Sequence, residues 1–226
     1  MKPERKTLAE CLRIGIPMAI TNLVVMFGGI ILSFITNQIG TEYVAVYSCA
    51  SKIGYIITTP VFGFATAVAV FASQNLGAGE LGRVKEGVRK TNLLVTAINV
   101  VLFVIFFFAE RPLLDFLLDG GETVDAGVMY LRIRCTAMFI LTFAAVYKNV
   151  LNALGRPMFP TISGFIEIAA RYVIPLLLAA PLGFLCVPLT DALSWLILAL
   201  FLAPAYWFEI RRLKCAEELR REKCKL

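Results

Sequence analysis

Phe71–Lys90 reads FASQNLGAGELGRVKEGVRK. An apolar run ends at Ala72, and Gln74-Asn75 open a polar exit from it. Gly77-Ala78-Gly79 predicts a tight turn, because glycine takes positive φ at no steric cost. Arg83, Lys85, Arg89 and Lys90 follow at once, and another apolar run begins beyond them. A small-residue turn closed by cations is the pattern of a short cytoplasmic loop between two membrane spans. Which side of a membrane this loop occupies then organises the rest of the chain.

Outward from that loop, composition agrees. The chain is 59% hydrophobic and only 17% charged, with a mean hydropathy of +0.79. Soluble domains lie nearer half apolar and a quarter charged, and here the apolar residues gather in long runs, as an integral membrane protein requires. The net charge of +6 collects at the termini and in Arg83–Lys90. Anionic lipid head groups suit that distribution, and nucleic acid does not. Histidine is absent, which excludes His-dependent zinc sites, Ser-His triads and histidine relays. The six cysteines (Cys11, Cys49, Cys135, Cys186, Cys215, Cys224) show no C-x-x-C spacing and read as reduced and structural. The run Ile14–Ile39 is too long for a signal-peptide core, so it reads as a retained first span.

Six apolar helices are expected: about Leu12–Gln38, Tyr43–Asn75, Arg83–Ala109, Gly127–Leu154, Met158–Ala180 and Phe184–Ile210. Gly28-Gly29 predicts a close helix neighbour or a bend, and Pro60 a kink. Between the helices lie Gly40-Thr41-Glu42, an acidic loop Glu110–Asp125 with an interfacial piece Pro112–Leu118, and turns at Gly155-Arg156-Pro157 and Pro181-Leu182-Gly183. Placing loops on alternate sides puts nearly all loop lysines and arginines on one side. On the other, Arg111 is the only basic residue. Both termini are therefore expected in the cytoplasm of a protein of the cell membrane. The expected organisation is a cytoplasmic lead 1–10, a transmembrane unit 11–210 and a basic tail 211–226.

These residues together carry a family likeness. Gly15-Ile16-Pro17, Ala50-Ser51-Lys52-Ile53, Gln74-Asn75-Leu76-Gly77-Ala78-Gly79 with Arg83, Leu151-Asn152-Ala153-Leu154-Gly155-Arg156-Pro157 and Glu167-x-x-x-Arg171 occur in this order. Their order and spacing resemble the C-terminal six-helix lobe of a MATE (multidrug and toxic compound extrusion) transporter. The resemblance implies an all-α membrane protein, a six-transmembrane-helix bundle forming one lobe of a MATE-type fold. It implies efflux of cationic or amphipathic small molecules in exchange for protons or sodium ions, with no other cofactor. A second six-helix lobe, as a separate N-terminal half or a second copy of the chain, is the implied partner, and the lead 1–10 resembles the linker between lobes. Gln74, Asn75, Gly77, Gly79, Arg83, Gly155, Arg156 and Pro157 are the loop residues carrying the motif. The chain departs from the pattern of sodium-coupled members. Its first helix has no acid between Arg13 and Gly40, and its fourth has none after Asp125.

Charges within a span are costly and mark functional candidates. Glu167 and Arg171 stand four apart on one helix face, with the acid first. Glu167 lies about 14 Å from the helix start at Met158 (about 1.5 Å per residue), near mid-bilayer. The pair reads either as a gated site where Glu167 takes a proton or a drug cation, or as a permanent stitch between helices. Lys52 and Asp191 read as cavity lining, or as a snorkelling or paired charge. Arg132, Arg134 and Lys148 read as interfacial. Asn22, Asn37, Asn99, Asn149 and Asn152 line a cavity or bond across helices, with Asn37 taken as a candidate binding residue. Gly77-x-Gly79-x-x-Gly82 matches a dinucleotide fingerprint by letter but follows a membrane helix, not a strand. No P-loop, H-E-x-x-H or G-x-S-x-G is present, so nothing supports an enzyme. Two other readings stay open: an exporter of lipid-linked or polysaccharide substrates, kept by Lys52, Arg132 and Arg171, and a membrane scaffold that transports nothing.

Overall fold

A computed structural model describes the backbone of residues 5–118 and 121–223, and within it the side chains of residues 12, 15, 16, 19, 20, 23, 26–118 and 121–217. The described residues form six long α-helices and no strand. They are α1 (Arg5–Ile39), α2 (Thr41–Gly77), α3 (Leu81–Leu117), α4 (Glu122–Ala153), α5 (Met158–Leu182) and α6 (Cys186–Lys223), with a 3-10 turn Gly183–Leu185 between the last two. At about 1.5 Å per residue, the 37 residues of α2 make a rod of about 55 Å, longer than the ~30 Å hydrocarbon layer. Four stretches of the described residues are long and apolar enough to cross a membrane. They are α2, α3, α4 and Met158–Glu217, the last taking in both α5 and α6.

The turns follow from glycine. Gly79 (φ 77°) and Gly155 (φ 73°) sit in the left-handed region. At the first, the Glu80 amide donates to Asn75 O at 2.8 Å and the Gly79 amide to Leu76 O at 3.0 Å. At the second, the Arg156 amide donates to Leu151 O at 3.0 Å. Six-to-one bonds closed over a left-handed glycine terminate a helix while satisfying its last carbonyls. The two family-motif loops are therefore the same helix-ending device used twice.

Helix α4 is the centre. It packs between α2 and α6, α3 lies against α2 and α4, and α5 against α1 and α6. In its most apolar 18-residue stretch 56% of residues are buried, against 17% for α3. The outer faces carry exposed Phe108, Phe116, Leu177 and Leu200. No soluble surface tolerates so much apolar area, whereas lipid tails cover it without cost.

Several expected boundaries are corrected. The acidic stretch Glu110–Asp125 is not a loop: α3 runs on to Leu117 and α4 begins at Glu122. Pro112 lies inside α3, so Pro112–Leu117 is the last part of that helix rather than a piece of loop; Leu114 is fully buried, while Phe116 and Leu117 are exposed. Glu122 and Asp125 occupy the first turn of α4, where carboxylates favour the positive end of the helix dipole. The turn expected at Pro181-Leu182-Gly183 is shifted: α5 reaches Leu182, and the chain turns at Gly183 (φ 54°) and the 3-10 turn Gly183–Leu185. The first helix starts at Arg5 rather than Leu12. Met1–Glu4, Asp119, Cys224 and the side chains of Cys11, Pro17 and Asn22 lie outside the described residues.

Candidate functional site

Four ionisable side chains from three helices meet in the bundle. Asp191 of α6 takes both arginines: Arg134 Nη1 of α4 lies 2.7 Å from its Oδ2 and Arg171 Nη1 of α5 lies 2.9 Å from its Oδ1. The first is an aligned hydrogen bond, whereas Oδ1 has a charge neighbour but no aligned donor. Arg171 Nη2 also donates to Glu167 Oε1 at 3.1 Å. Tyr130 sits beneath the pair, accepting from Arg134 Nη1 at 3.1 Å and donating to Asp191 Oδ2 at 3.2 Å. The side chain of Asp191 is 2% exposed, that of Arg171 11% and that of Arg134 14%. A buried charge is tolerable only when paired and hydrogen-bonded, and Asp191 supplies that to two cations at once.

Two glycines make room for the arginines. A Cβ on Gly28 of α1 would collide with Arg171 Cδ, and a Cβ on Gly54 of α2 with Arg134 Nε and Cδ. Each arginine stem thus lies against the bare backbone of a neighbouring helix, which brings its guanidinium inward to Asp191. The Arg134 guanidinium also stands 5.1 Å over the Trp195 ring, within cation–π range. Both Nε–H groups are buried without an acceptor.

The cluster forms one wall of a cavity of about 340 Å³ between α1, α2, α4, α5 and α6, with Tyr55, Phe62, Lys148 and Trp195 among the other lining residues. That volume is of the size that accepts a small organic ligand. A second cavity, of about 320 Å³, lies at the end of the bundle that carries the motif loops, lined by Lys85, Arg89, Tyr147 and Trp207.

Of the residues expected at a site, the structure brings Glu167, Arg171 and Asp191 together. Lys52 and Asn37 are exposed and do not line the cavity. Arg134 is not interfacial. It is the second cation of the cluster, half-buried like Lys148, and both stand on the cavity wall. Arg132 stays exposed and reaches the buried Glu110 at 2.6 Å. Sequence reading missed the joint role of Arg134, Tyr130, Trp195 and Lys148; the available signal was that Arg134 and Lys148 are themselves charges within a span. Asn99 Nδ2 donates to Thr142 Oγ1 at 2.6 Å, a bond across α3 and α4, while Asn149 bonds its own helix. Gln74, Gly77, Gly79, Arg83 and Gly155 are exposed at the turns, and Asn75, Arg156 and Pro157 are half-buried there. Arg156 Nε bonds the buried Glu209 Oε2 of α6 at 3.0 Å. Cys49, Cys135, Cys186 and Cys215 are free, and no group of metal-ligating side chains occurs among the described residues.

A family model described as MatE matches residues 17–177. The chain is 25% identical over 162 residues to a probable multidrug resistance protein YoeA of Bacillus subtilis (strain 168), covering 72% of this chain and 35% of that protein. It is 24% identical over 166 residues to a probable multidrug resistance protein NorM of Thermotoga maritima, covering 74% of this chain and 36% of that one. A crystal structure of MATE in complex with MaL6 superposes with a TM-score of 0.84 at 15% identity, over 95% of this chain and 49% of that one. That likeness shows the fold: this bundle corresponds to one half of a larger helical protein. The chain spans about half the length of the solved structure and about a third of each curated relative.

Proposed function

The chain belongs to the MatE family, and on that premise we propose that it acts as one lobe of a multidrug efflux transporter, paired with a second six-helix lobe, exchanging amphipathic organic compounds for protons or sodium ions. The reading places both termini and the basic motif loops at the cytoplasmic face, where Arg83, Lys85 and Arg89 meet anionic lipid. Alternating access needs two bundles moving about a central site, so transport requires the second lobe, as a separate half or a second copy. Cationic compounds are the substrates that the family resemblance implies. In this lobe both acids are already matched by arginines, so a cation would draw its counter-charge from the second lobe.

The observation that carries the reading is the placement of Glu167, Arg171 and Arg134 on the wall of a cavity, with Asp191 pairing both arginines. The network is asymmetric. Asp191 holds both arginines, whereas Glu167 holds only Arg171, which keeps Asp191 in any case. Neutralising Glu167 therefore leaves no arginine without a carboxylate, and neutralising Asp191 leaves Arg134 with only the Tyr130 hydroxyl and the Trp195 ring. Glu167 is the group that can exchange a proton or release Arg171 without dismantling the cluster, and Asp191 is the fixed post.

The test is ethidium accumulation in a drug-sensitive bacterial host carrying the chain, a second lobe, or both. Lower accumulation only with both, abolished by Glu167→Gln, is expected. Ethidium transport by the monomeric chain alone would refute the need for a second lobe, and unchanged efflux with Glu167→Gln would refute the role of Glu167. A protein that alters accumulation in no combination would not be an ethidium exporter.

A further inference from the structure

The cavity wall holds more positive charge than its acids can match. Arg134, Lys148 and Arg171 line it, and the carboxylates of the cluster are Glu167 and Asp191. Three cations against two anions leave one positive charge over. That excess sits on Lys148. Among the described residues Lys148 makes no ion pair within 4.0 Å. Glu167, the carboxylate that shares its wall, is held by Arg171. Apart from Thr58, whose hydroxyl bonds Gly54 O within its own helix, the rest of the lining is apolar or aromatic, with Tyr55, Phe62, Leu141 and Trp195 around the charged wall.

We propose that this cavity binds the anionic group of an amphipathic organic compound, with Lys148 as its counter-ion and the aromatic wall covering its apolar body. The inference rests on the cavity being a substrate site, and it names the substrate's chemistry there: a carboxylate, sulfonate or phosphate on an aromatic or aliphatic frame. The physical ground is low polarity. A lysine half-buried in a bundle surrounded by lipid loses hydration that water would otherwise supply. An anion entering beside it restores that lost interaction and gains a charge-assisted hydrogen bond. A cation entering the same space meets three like charges, and the two carboxylates beside them are already engaged by the arginines. A compound bearing both signs could place its anion here and its cation toward the second lobe.

The test is fluorescence anisotropy of two dyes with the same xanthene body, anionic fluorescein and cationic rhodamine 6G, titrated with the full chain in neutral detergent micelles. Wild type is expected to bind fluorescein more tightly than rhodamine 6G. Lys148→Gln should weaken fluorescein about tenfold or more, the scale of one lost hydrogen bond to a charged group, without weakening rhodamine 6G. Lys148→Arg should keep most of the fluorescein affinity, which separates a lost charge from a damaged fold. Tighter binding of rhodamine 6G, or fluorescein binding indifferent to Lys148→Gln, overturns the proposal and makes Lys148 an interfacial anchor, while cavity binding as such stands. Binding of neither dye overturns the proposal together with the cavity as a site. Lys148-dependent fluorescein binding by a chain that exports nothing even with a second lobe would sustain the inference and sink the transport reading.

Discussion

Two kinds of arginine–carboxylate pair occur in this bundle, and they differ in which partner is dry. In the outward-facing pairs the acid is buried and the arginine is not. Glu110 is 3% exposed while Arg132 is 55% exposed, and Glu209 is likewise buried beneath Arg156 and Arg212. In the middle, Asp191, Arg171 and Glu167 are buried, and the side chain of Arg134 is only 14% exposed. The outer pairs join α3 to α4 and the α4–α5 turn to α6, and their arginines can reach water or head groups when released. The inner arginines have nowhere else to go. Outer pairs therefore act as stitches, while the inner cluster holds charge against a cavity and must rearrange within itself. The same residue type does different work according to depth.

The sharpest way to break this contrast is Asp191→Asn. It removes the carboxylate of two buried arginines, and a loss of about 3–5 kcal/mol in stability is expected, the usual cost of stranding a buried charge. Glu167→Gln should cost clearly less, because Arg171 retains Asp191. Thermal unfolding in micelles compares the two, and equal losses would erase the distinction between post and switch. At the rim the order of effects should depend on which partner is removed. Arg132→Ala strands the buried Glu110 and should cost about 3 kcal/mol. Glu110→Gln lets Arg132 relax outward and should cost about 1 kcal/mol. Denaturant titration of the two variants checks this, and the reverse order would mean that depth does not set the cost. Gly54→Val should come next, at about 1–3 kcal/mol from overpacking, with Arg134 pushed away from Trp195. Loss of the Arg134-dependent change in Trp195 fluorescence reads it out, with an Arg134→Met variant as the reference. The smallest effect is Glu86→Gln, which breaks the fully exposed pair with Lys90 at 2.7 Å. Solvent screens such a pair, and no change in melting temperature is expected.

How much of this was legible in the sequence follows from distance along the chain. Glu167 and Arg171 are one helical turn apart, so helix periodicity alone pairs them. Arg134 and Asp191 are joined only by the packing of α4 on α6, and no local pattern announces that. An error of register hid Arg134 as well. With the fourth helix started at Gly127, it lies about two turns in and reads as interfacial; with α4 starting at Glu122 it lies about three turns in. The acids Glu122 and Asp125 were read as loop, although carboxylates also mark a helix N-terminus. The third helix is expected to end at Ala109, but α3 continues through Pro112, and Leu114 beyond it is fully buried. Lys52 and Asn37 show the opposite limit. Polarity within a span flags a residue but does not say which face of its helix meets the cavity. The glycine turns were legible because Gly79 and Gly155 need a left-handed φ that other residues rarely adopt. Gly28 announced a close neighbour, and the neighbour is Arg171.

The central claim is that the buried cluster is the transport centre and Glu167 its exchangeable charge. Substrate uptake into proteoliposomes holding the chain together with a second lobe, driven by an imposed pH or sodium gradient, tests it most directly. The account predicts that Glu167→Gln keeps its folded melting profile and loses gradient-driven uptake. Uptake by that variant at the wild-type rate, under the same gradient, would contradict it.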